Sequence, residues 1–257
     1  MSNRAALVLG ASSGFGAAAC RAFAEAGYDI YGVHLDRAAT LANAEAVQAD
    51  VEAAGVACSF FNVNAADTSA REEVLQAIAD GPRVGVLLHS LAFGSLAPLL
   101  KPEDGKALSE RQMTMTLEVM AHSLVWWSRD LVSSGLMGQG GRIFAMTSSG
   151  SHSALPAYGA VGAAKSALET HTRYLAMELA PLGITANSIL AGVTDTAALR
   201  KIPRWEEMVE TATRRNPSGR LTRPEDVAAC LVALSAPGTG WMTGNTLRVD
   251  GGEDICA

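Results

Sequence analysis

The stretch Gly10-Ala-Ser-Ser-Gly14-Phe-Gly16 decides the fold, because it links an unbroken apolar run at residues 5–9 to a segment with helical spacing at residues 17–26. An unbroken apolar run is typical of a strand in a parallel sheet that is covered on both faces. A glycine-rich turn from such a strand into a helix lets the backbone approach a pyrophosphate at the helix N-terminus. The stretch therefore predicts a dinucleotide-binding turn, although its spacing differs from the common G-x-G-x-x-G and three glycines also occur in ordinary turns.

Short apolar runs and longer amphipathic segments alternate along the rest of the chain. Strands are predicted at residues 5–9, 29–35, 57–63, 84–89, 141–147, 184–190 and 246–249, and helices at 17–26, 38–54, 71–80, 110–134, 158–180 and 224–235. Strand–helix units repeated this often imply parallel strands joined by right-handed crossovers. We predict an α/β fold of the Rossmann type, a doubly wound parallel sheet of about seven strands with helices on both faces. Since the alternation never resets, residues 1–257 are expected to form one dinucleotide-binding catalytic domain.

The composition narrows the class of protein. Of the 257 residues, 49% are hydrophobic and 18% charged, which supplies a sizeable core and excludes wholesale disorder. The net charge is −6 and the 20 basic residues are dispersed, so nucleic acids and membranes are not expected as partners. The four cysteines are far apart, and no apolar run reaches the length of a membrane span. We therefore expect a reduced, soluble, cytoplasmic protein without a metal site.

Motifs in four further places, in the expected order, resemble the short-chain dehydrogenase/reductase family over nearly the whole chain. Asn62-Val63 follows the third strand, where that family places an Asp or Asn beside the adenine. Asn187 occupies its usual place in the sixth strand, and Thr243-Gly244 with Val249-Asp-Gly-Gly252 resembles the C-terminal strand motif. The resemblance implies a nicotinamide cofactor, NADH or NADPH.

The chain departs from the common family pattern at three catalytic positions. Val161, not tyrosine, stands four residues before Lys165, and the candidate tyrosine is Tyr158, seven residues before it. His89-Ser90-Leu91-Ala92 replaces the common Asn-Asn-Ala-Gly, and Met120 stands where the catalytic Asn is expected. These changes indicate either a different chemistry or lost activity.

The departures match one branch of the family. The Tyr-x6-Lys pair, the run from His89 to Phe93 and Lys165-Ser-Ala-Leu-Glu-x3-Arg173 resemble the enoyl-acyl-carrier-protein reductases. Gly192-Val-Thr-Asp-Thr196 and Pro217-Ser-Gly-Arg220 look closest to the form that keeps the G-x3-G-x-G turn. A second tyrosine that many of these enzymes carry ten residues before the first is replaced by Ser148.

The longer spacing has a physical rationale. Separations of four and seven residues, about 400° and 700° of rotation, both keep the two side chains on one helix face, but they differ by roughly 4.5 Å along the axis. In ketone reduction hydride enters the carbon that carries the protonated oxygen. In a 2-enoyl thioester it enters Cβ, two carbons from the carbonyl oxygen. A displaced tyrosine suits that addition.

The resemblance assigns three catalytic residues. Tyr158 would stabilise the enolate at the thioester carbonyl, and Lys165 would supply a positive charge and contact the nicotinamide ribose. Ser148 would contact substrate. The structural alternatives are a surface tyrosine at a helix start, a solvated lysine and a serine in a strand-end turn.

The resemblance also assigns cofactor and substrate contacts. The expected cofactor-binding residues are Gly10, Ser12, Ser13, Gly14, Phe15, Gly16, Asp36, Arg37, Asn62, Val63, Ser90, Leu91, Ala92, Lys165, Gly192, Val193, Thr194 and Thr196. The expected substrate contacts are Phe93, Tyr158, Leu199 and Ile202. Thr194 and Thr196 could instead be a helix N-cap pair. At the end of the second strand, Asp36 favours NADH, whereas Arg37 would suit NADPH.

Partners and alternative functions follow from the same resemblance. The substrate would be an acyl thioester on acyl-carrier protein or CoA, with Arg200, Arg204 and Arg215 as docking candidates. Residues 197–217 would form a flap over the acyl chain, or alternatively a plain surface helix. A homotetramer is expected, or a homodimer, through helices 110–134 and 158–180. Trp126-Trp127 would then pack in the core or an interface. The alternatives to an enoyl-thioester reductase are a divergent 3-ketoacyl-thioester (carbonyl) reductase and a nicotinamide-binding protein without catalysis.

Overall fold

The computed structural model describes residues 4–100 and 105–256. Within them lies a seven-stranded parallel sheet of order β3-β2-β1-β4-β5-β6-β7. Its strands are β1 (Arg4–Leu9), β2 (Asp29–His34), β3 (Cys58–Asn62), β4 (Arg83–His89), β5 (Arg142–Thr147), β6 (Thr185–Ala191) and β7 (Thr246–Val249). The helices are α1 (Gly14–Glu25), α2 (Leu41–Ala53), α3 (Thr68–Ala77), α4 (Glu110–Leu117), α5 (Ser123–Ser133), α6 (Gly159–Leu179), α7 (Trp205–Arg215) and α8 (Pro224–Leu234). None of these helices is long and apolar enough to cross a bilayer.

Each face of the sheet carries its own hydrophobic core. Leu87 points to the face covered by α3 to α6, where Trp127 and Leu168 are fully buried. Leu88, the next residue of β4, points to the opposite core with Phe23 of α1. This alternation buries the strands on both sides, so the prediction of a doubly wound Rossmann-type sheet is confirmed.

Helix boundaries differ from the predicted ones where local hydrogen bonds decide them. Helix α1 begins at Gly14, inside the glycine turn, and α2 begins only at Leu41. Helix α3 begins at Thr68, earlier than predicted, because the Asp67 carboxylate accepts a hydrogen bond from the backbone of Ala70. The predicted helix 110–134 is two helices, α4 and α5, joined by a π-helical turn at Glu118–His122 that contains Met120.

Candidate active site

The glycine turn lies across the ends of β1 and β4, where the strand order reverses. Gly10 has a φ of 92°, and a Cβ there would lie 2.4 Å from the carbonyl oxygen of Ser90. A Cβ on Gly16 would lie 2.1 Å from the carbonyl oxygen of Gly10. Both positions therefore require glycine, and the turn leaves the first backbone N–H groups of α1 without a side-chain cap. Such a helix N-terminus at the switch point of an α/β sheet fits a pyrophosphate.

The polar group at the end of β2 forms a compact cluster. The Asp36 carboxylate lies 2.9 Å from His34 Nδ1, and the Asp36 backbone exchanges hydrogen bonds with the Asn62 amide at 2.9 and 3.0 Å. Burial alone would raise the pKa of the Asp36 carboxyl, but hydrogen bonds from Thr40, Ser12 and His34 hold that pKa below its usual value. An ionised carboxylate next to the glycine turn is the group that binds a ribose diol and repels a 2′-phosphate.

The other residues predicted around this cluster lie beside it with different exposure. The backbone N–H of Val63 donates to His34 at 2.8 Å, and its side chain packs on the core. Arg37 is exposed, as is Ser13 at the N-cap of α1.

The candidate catalytic residues Ser148, Tyr158 and Lys165 lie together with Met146 in a cluster that is here called the reaction centre. Tyr158 caps the start of α6, and its hydroxyl lies 3.3 Å from Ser148 Oγ. Its ring packs on Gly150, where a Cβ would lie 2.4 Å from the ring atom Cε1. Lys165 is only 5% exposed, and its Nζ donates to the carbonyl oxygen of Met146 at 2.7 Å. The solvated-lysine alternative is thereby excluded.

Burial sets the charge states at this centre. It raises the pKa of the Tyr158 phenol, and the hydrogen bond with Ser148 offsets only part of that rise, so the hydroxyl stays protonated and can donate. Burial also lowers the pKa of Lys165 from 10.5 to about 8, while the nearby Glu169 carboxylate acts in the opposite direction. Lys165 therefore carries its charge at neutral pH and loses it under mildly alkaline conditions.

These groups open into a cavity of about 250 Å³. The predicted residues among its lining are Phe15, Ser90, Leu91, Ala92, Phe93, Ser148, Tyr158, Lys165, Gly192, Val193, Thr194, Thr196, Leu199 and Ile202. The other cofactor candidates lie outside this lining; they are Gly10, Ser12, Ser13, Gly14, Gly16, Asp36, Arg37, Asn62 and Val63. Met120 and Val161, from two of the three departures from the family pattern, also line it. The structure thus brings the catalytic and substrate candidates and half of the cofactor candidates together around one cavity.

Residues 192–204, here called the β6–α7 segment, form one wall of the cavity. Leu199 is buried and begins a 3₁₀ turn. The backbone N–H of Leu199 donates to Thr196 Oγ1 at 3.2 Å. The Thr194 hydroxyl donates to the carbonyl oxygen of Gly192 at 2.9 Å. Both threonines line the cavity and also stabilise the local backbone, so the capping alternative accounts for part of their role. The region predicted as a flap, residues 197–217, consists of the second half of the β6–α7 segment, then helix α7 and the two residues after it.

The three arginines considered for docking each have a partner within the chain. Arg200 forms a bidentate pair with Asp195 at 2.8 Å, and Arg204 pairs with Glu207. Arg215 donates to the carbonyl oxygen of Cys256 at 3.0 Å through Nε.

The two neighbouring tryptophans have different environments. Trp127 is a core residue whose indole N–H donates to the carbonyl oxygen of Ala65 at 2.8 Å. Trp126 is partly buried and donates to Glu118 at 3.0 Å.

Sequence reasoning missed several residues of the site. Leu96, Met146 and Leu155 line the cavity, and Gly150 supports the Tyr158 ring. The Glu253 carboxylate, from the C-terminal turn, accepts a hydrogen bond from the Val193 backbone at 3.1 Å. Met146 could have been found, because it lies two residues before Ser148 on a predicted strand. The others depend on how separate segments of the chain pack against one another.

Comparison with known proteins agrees with this geometry. The family model described as "Enoyl-(Acyl carrier protein) reductase" matches residues 10–253. The acetoacetyl-CoA reductase of Rhizobium meliloti is 31% identical over 255 residues, covering 98% of each chain. The 1-cyclohexenylcarbonyl-CoA reductase of Streptomyces collinus is 39% identical over 124 residues, 48% of this chain and 44% of that protein.

A solved structure shares the fold. The enoyl-[acyl-carrier-protein] reductase (NADH) from Aquifex aeolicus superposes with a TM-score of 0.86 over 99% of this chain and 97% of that one, at 22% identity. The family match covers the turn, the reaction centre and the C-terminal strand alike. The chain therefore belongs to the short-chain dehydrogenase/reductase superfamily of NAD(P)H-dependent oxidoreductases, in its enoyl reductase-like branch.

Proposed function

We propose that this protein is an enoyl-thioester reductase that transfers hydride from a reduced nicotinamide to Cβ of a trans-2-enoyl thioester. The observation that carries the proposal is the position of the phenol. Among the described residues that line the cavity, Tyr158 is the one tyrosine, and Val161 occupies the position four residues before Lys165. A protonated hydroxyl displaced by about one helical turn fits a carbonyl oxygen that is two carbons from the carbon receiving hydride.

The chain's own residues would act by orienting the thioester and stabilising negative charge. The cradle at Gly10 and Gly16 and the open N-terminus of α1 fit a dinucleotide pyrophosphate, and the bound nucleotide supplies the hydride. Tyr158 donates a hydrogen bond to the thioester carbonyl oxygen, where charge develops as the enolate forms. Lys165 holds a buried positive charge beside this centre. A proton from solvent then adds at Cα of the enolate, so that one hydride and one proton together reduce the double bond.

The cavity lining supports an apolar acyl group. Phe93, Met120 and Leu199 present hydrocarbon and thioether surface, and Leu155 and Met208 add to it. A charged or polyhydroxylated group would lose hydration against these five side chains, which offer it no hydrogen-bonding partners. The partial similarity to a 1-cyclohexenylcarbonyl-CoA reductase supports an α,β-unsaturated acyl thioester, carried on CoA or acyl-carrier protein.

We propose NADH as the preferred nucleotide, because the ionised Asp36 carboxylate lies beside the glycine turn and would repel a 2′-phosphate. We further propose a cytoplasmic homotetramer. The exposed Tyr174 and Met177 on α6 support an assembly through that helix, since exposed large apolar side chains favour interfaces.

The 3-ketoacyl-thioester reductase is kept as a second candidate because of the full-length similarity to an acetoacetyl-CoA reductase. Crotonyl-CoA, crotonyl-acyl-carrier protein and acetoacetyl-CoA would each be incubated with enzyme and NADH or NADPH while nicotinamide absorbance is followed. We expect the crotonyl thioesters to be reduced at least ten times faster than acetoacetyl-CoA, with NADH preferred. Faster consumption of acetoacetyl-CoA would contradict the proposal and favour the second candidate. Nucleotide binding without turnover would indicate a non-catalytic protein.

A further inference from the structure

His89, at the end of β4, is fully buried between the sheet and helix α5. Its Nε2 atom lies 2.8 Å from Ser123 Oγ, and that hydroxyl donates to the carbonyl oxygen of Val119, also at 2.8 Å. A serine hydroxyl has a single proton to donate. Because Val119 takes that proton, the ring donates its own through Nε2. His89 is therefore a neutral imidazole whose bare lone pair lies on Nδ1.

That lone pair is buried, and the Nδ1 atom has no hydrogen-bond partner among the described residues. Buried polar atoms in proteins are nearly always paired, either with protein groups or with internal water. A lone pair left without any partner costs free energy that a hydrophobic residue of the same size would not. The feature therefore needs an explanation that packing alone does not supply.

The buried ammonium of Lys165 lies close enough to act on the His89 ring through its charge. In the register of β4 and β5, His89 lies opposite Ala145, and the next residue, Met146, carries the carbonyl that accepts the Lys165 ammonium at 2.7 Å. Burial and then the charge of Lys165 lower the pKa of His89 to about 3. The ring therefore stays neutral, and the Lys165 charge contributes to keeping it so. The ammonium has three protons and Met146 takes one. Two ammonium protons therefore remain for other acceptors.

Other titratable groups on the packed elements have their own roles. Glu169 of α6 favours the charged lysine and accepts a hydrogen bond from Thr147, and Tyr158 is paired with Ser148. The π-helical turn contributes His122, bonded to His171 at 3.0 Å, and Glu118, bonded to Trp126.

We propose that the His89 Nδ1 lone pair accepts a hydrogen bond from the Lys165 ammonium through a bound water, and so keeps Lys165 protonated and oriented. His89 is thus a positioning residue of the proposed reaction, and Ser123 fixes its tautomer. The proposal rests on the proposed function in one respect, that Lys165 takes part in catalysis. The hydrogen bond itself is independent of which substrate is reduced.

Two substitutions test the roles of the two ring nitrogens of His89 independently. His89→Gln places an amide near Nε2, where it can still donate to Ser123, but leaves nothing at Nδ1. His89→Asn places an amide oxygen near Nδ1 and gives up the contact with Ser123. With whichever thioester is reduced, we expect His89→Gln to move the alkaline limb of the kcat–pH profile down by about one unit, the equivalent of one lost hydrogen bond. His89→Asn should restore the limb to within a few tenths of a unit.

Equal limbs in wild type and His89→Gln, or equal shifts in both variants, would overturn the proposal. A second measurement on the wild-type holoenzyme does not depend on how the variants fold. In nitrogen-15 spectra of labelled histidine, the Nδ1 resonance of His89 should shift over the pH range in which Lys165 titrates. That step should be absent in Lys165→Met. A resonance that does not respond to pH in the wild type would also overturn the proposal, whether or not the enzyme reduces enoyl thioesters.

Discussion

The reaction centre and the β6–α7 segment line the same cavity but are held in different ways. Lys165 projects from the second turn of the regular helix α6 and is 5% exposed, with its ammonium bonded to a strand carbonyl. The β6–α7 segment is irregular, and the side chains of its ion pair Arg200–Asp195 are 60% and 48% exposed. Buried polar contacts have few alternatives in a low dielectric, whereas exposed ion pairs exchange readily with water. The comparison indicates that the reaction centre is the rigid part of the cavity, here called its floor. The β6–α7 segment is the wall whose contacts can rearrange as substrate enters.

The largest effect is expected from removing the buried hydroxyl. Tyr158→Phe should lower kcat about 10²- to 10³-fold with little change in KM, because the hydrogen bond to the carbonyl oxygen strengthens only as the enolate forms. Tyr174→Phe is the matched control, since that phenol lies on the same helix and is 59% exposed. Steady-state kinetics of both variants test the difference. A similar kcat for Tyr158→Phe and wild type would remove Tyr158 from the reaction.

How far these features can be predicted depends on sequence separation. The glycine turn and the pair Tyr158 and Lys165 can be predicted from local spacing. The alternation of apolar runs with amphipathic segments predicts a parallel, doubly wound sheet. The contact of His89 with Ser123 spans 34 residues, and that of Val193 with Glu253 spans 60. Such contacts are set by which strands and helices become neighbours, so no local pattern reports them. The charge states at the site depend on the same burial.

A second expected effect is a stability change that follows the charge of Lys165. In the folded protein, burial lowers the pKa of Lys165 from 10.5 to about 8, and the Glu169 carboxylate offsets only part of that effect. Between these values the unfolded chain retains a proton that the folded chain has released, so the free energy of unfolding rises with pH. The cost of burying the charge is present in full below pH 8 and is lost as pH approaches 10.5.

Lys165→Met supplies the reference for this measurement, because other titrating groups are common to both proteins. Without nucleotide, the stability of the wild type relative to Lys165→Met should rise by about 2 kcal/mol between about pH 7.5 and 9.5, as measured by urea denaturation. Parallel pH profiles for the two proteins would show that the pKa of Lys165 is not lowered by burial.

The smallest effect is expected from the exposed pair on the wall. Arg200→Gln should leave the melting temperature unchanged, because the pair holds two solvated side chains together and is screened by salt. Leu199→Ala is the matched comparison one residue earlier. Leu199 is 7% exposed and lines the cavity, so its truncation should cost about 2 kcal/mol and raise KM for the thioester. If Arg200→Gln destabilised the protein as much as Leu199→Ala, the exposed ion pair would contribute as much stability as the buried apolar contacts. The difference drawn between the β6–α7 segment and the reaction centre would then be wrong.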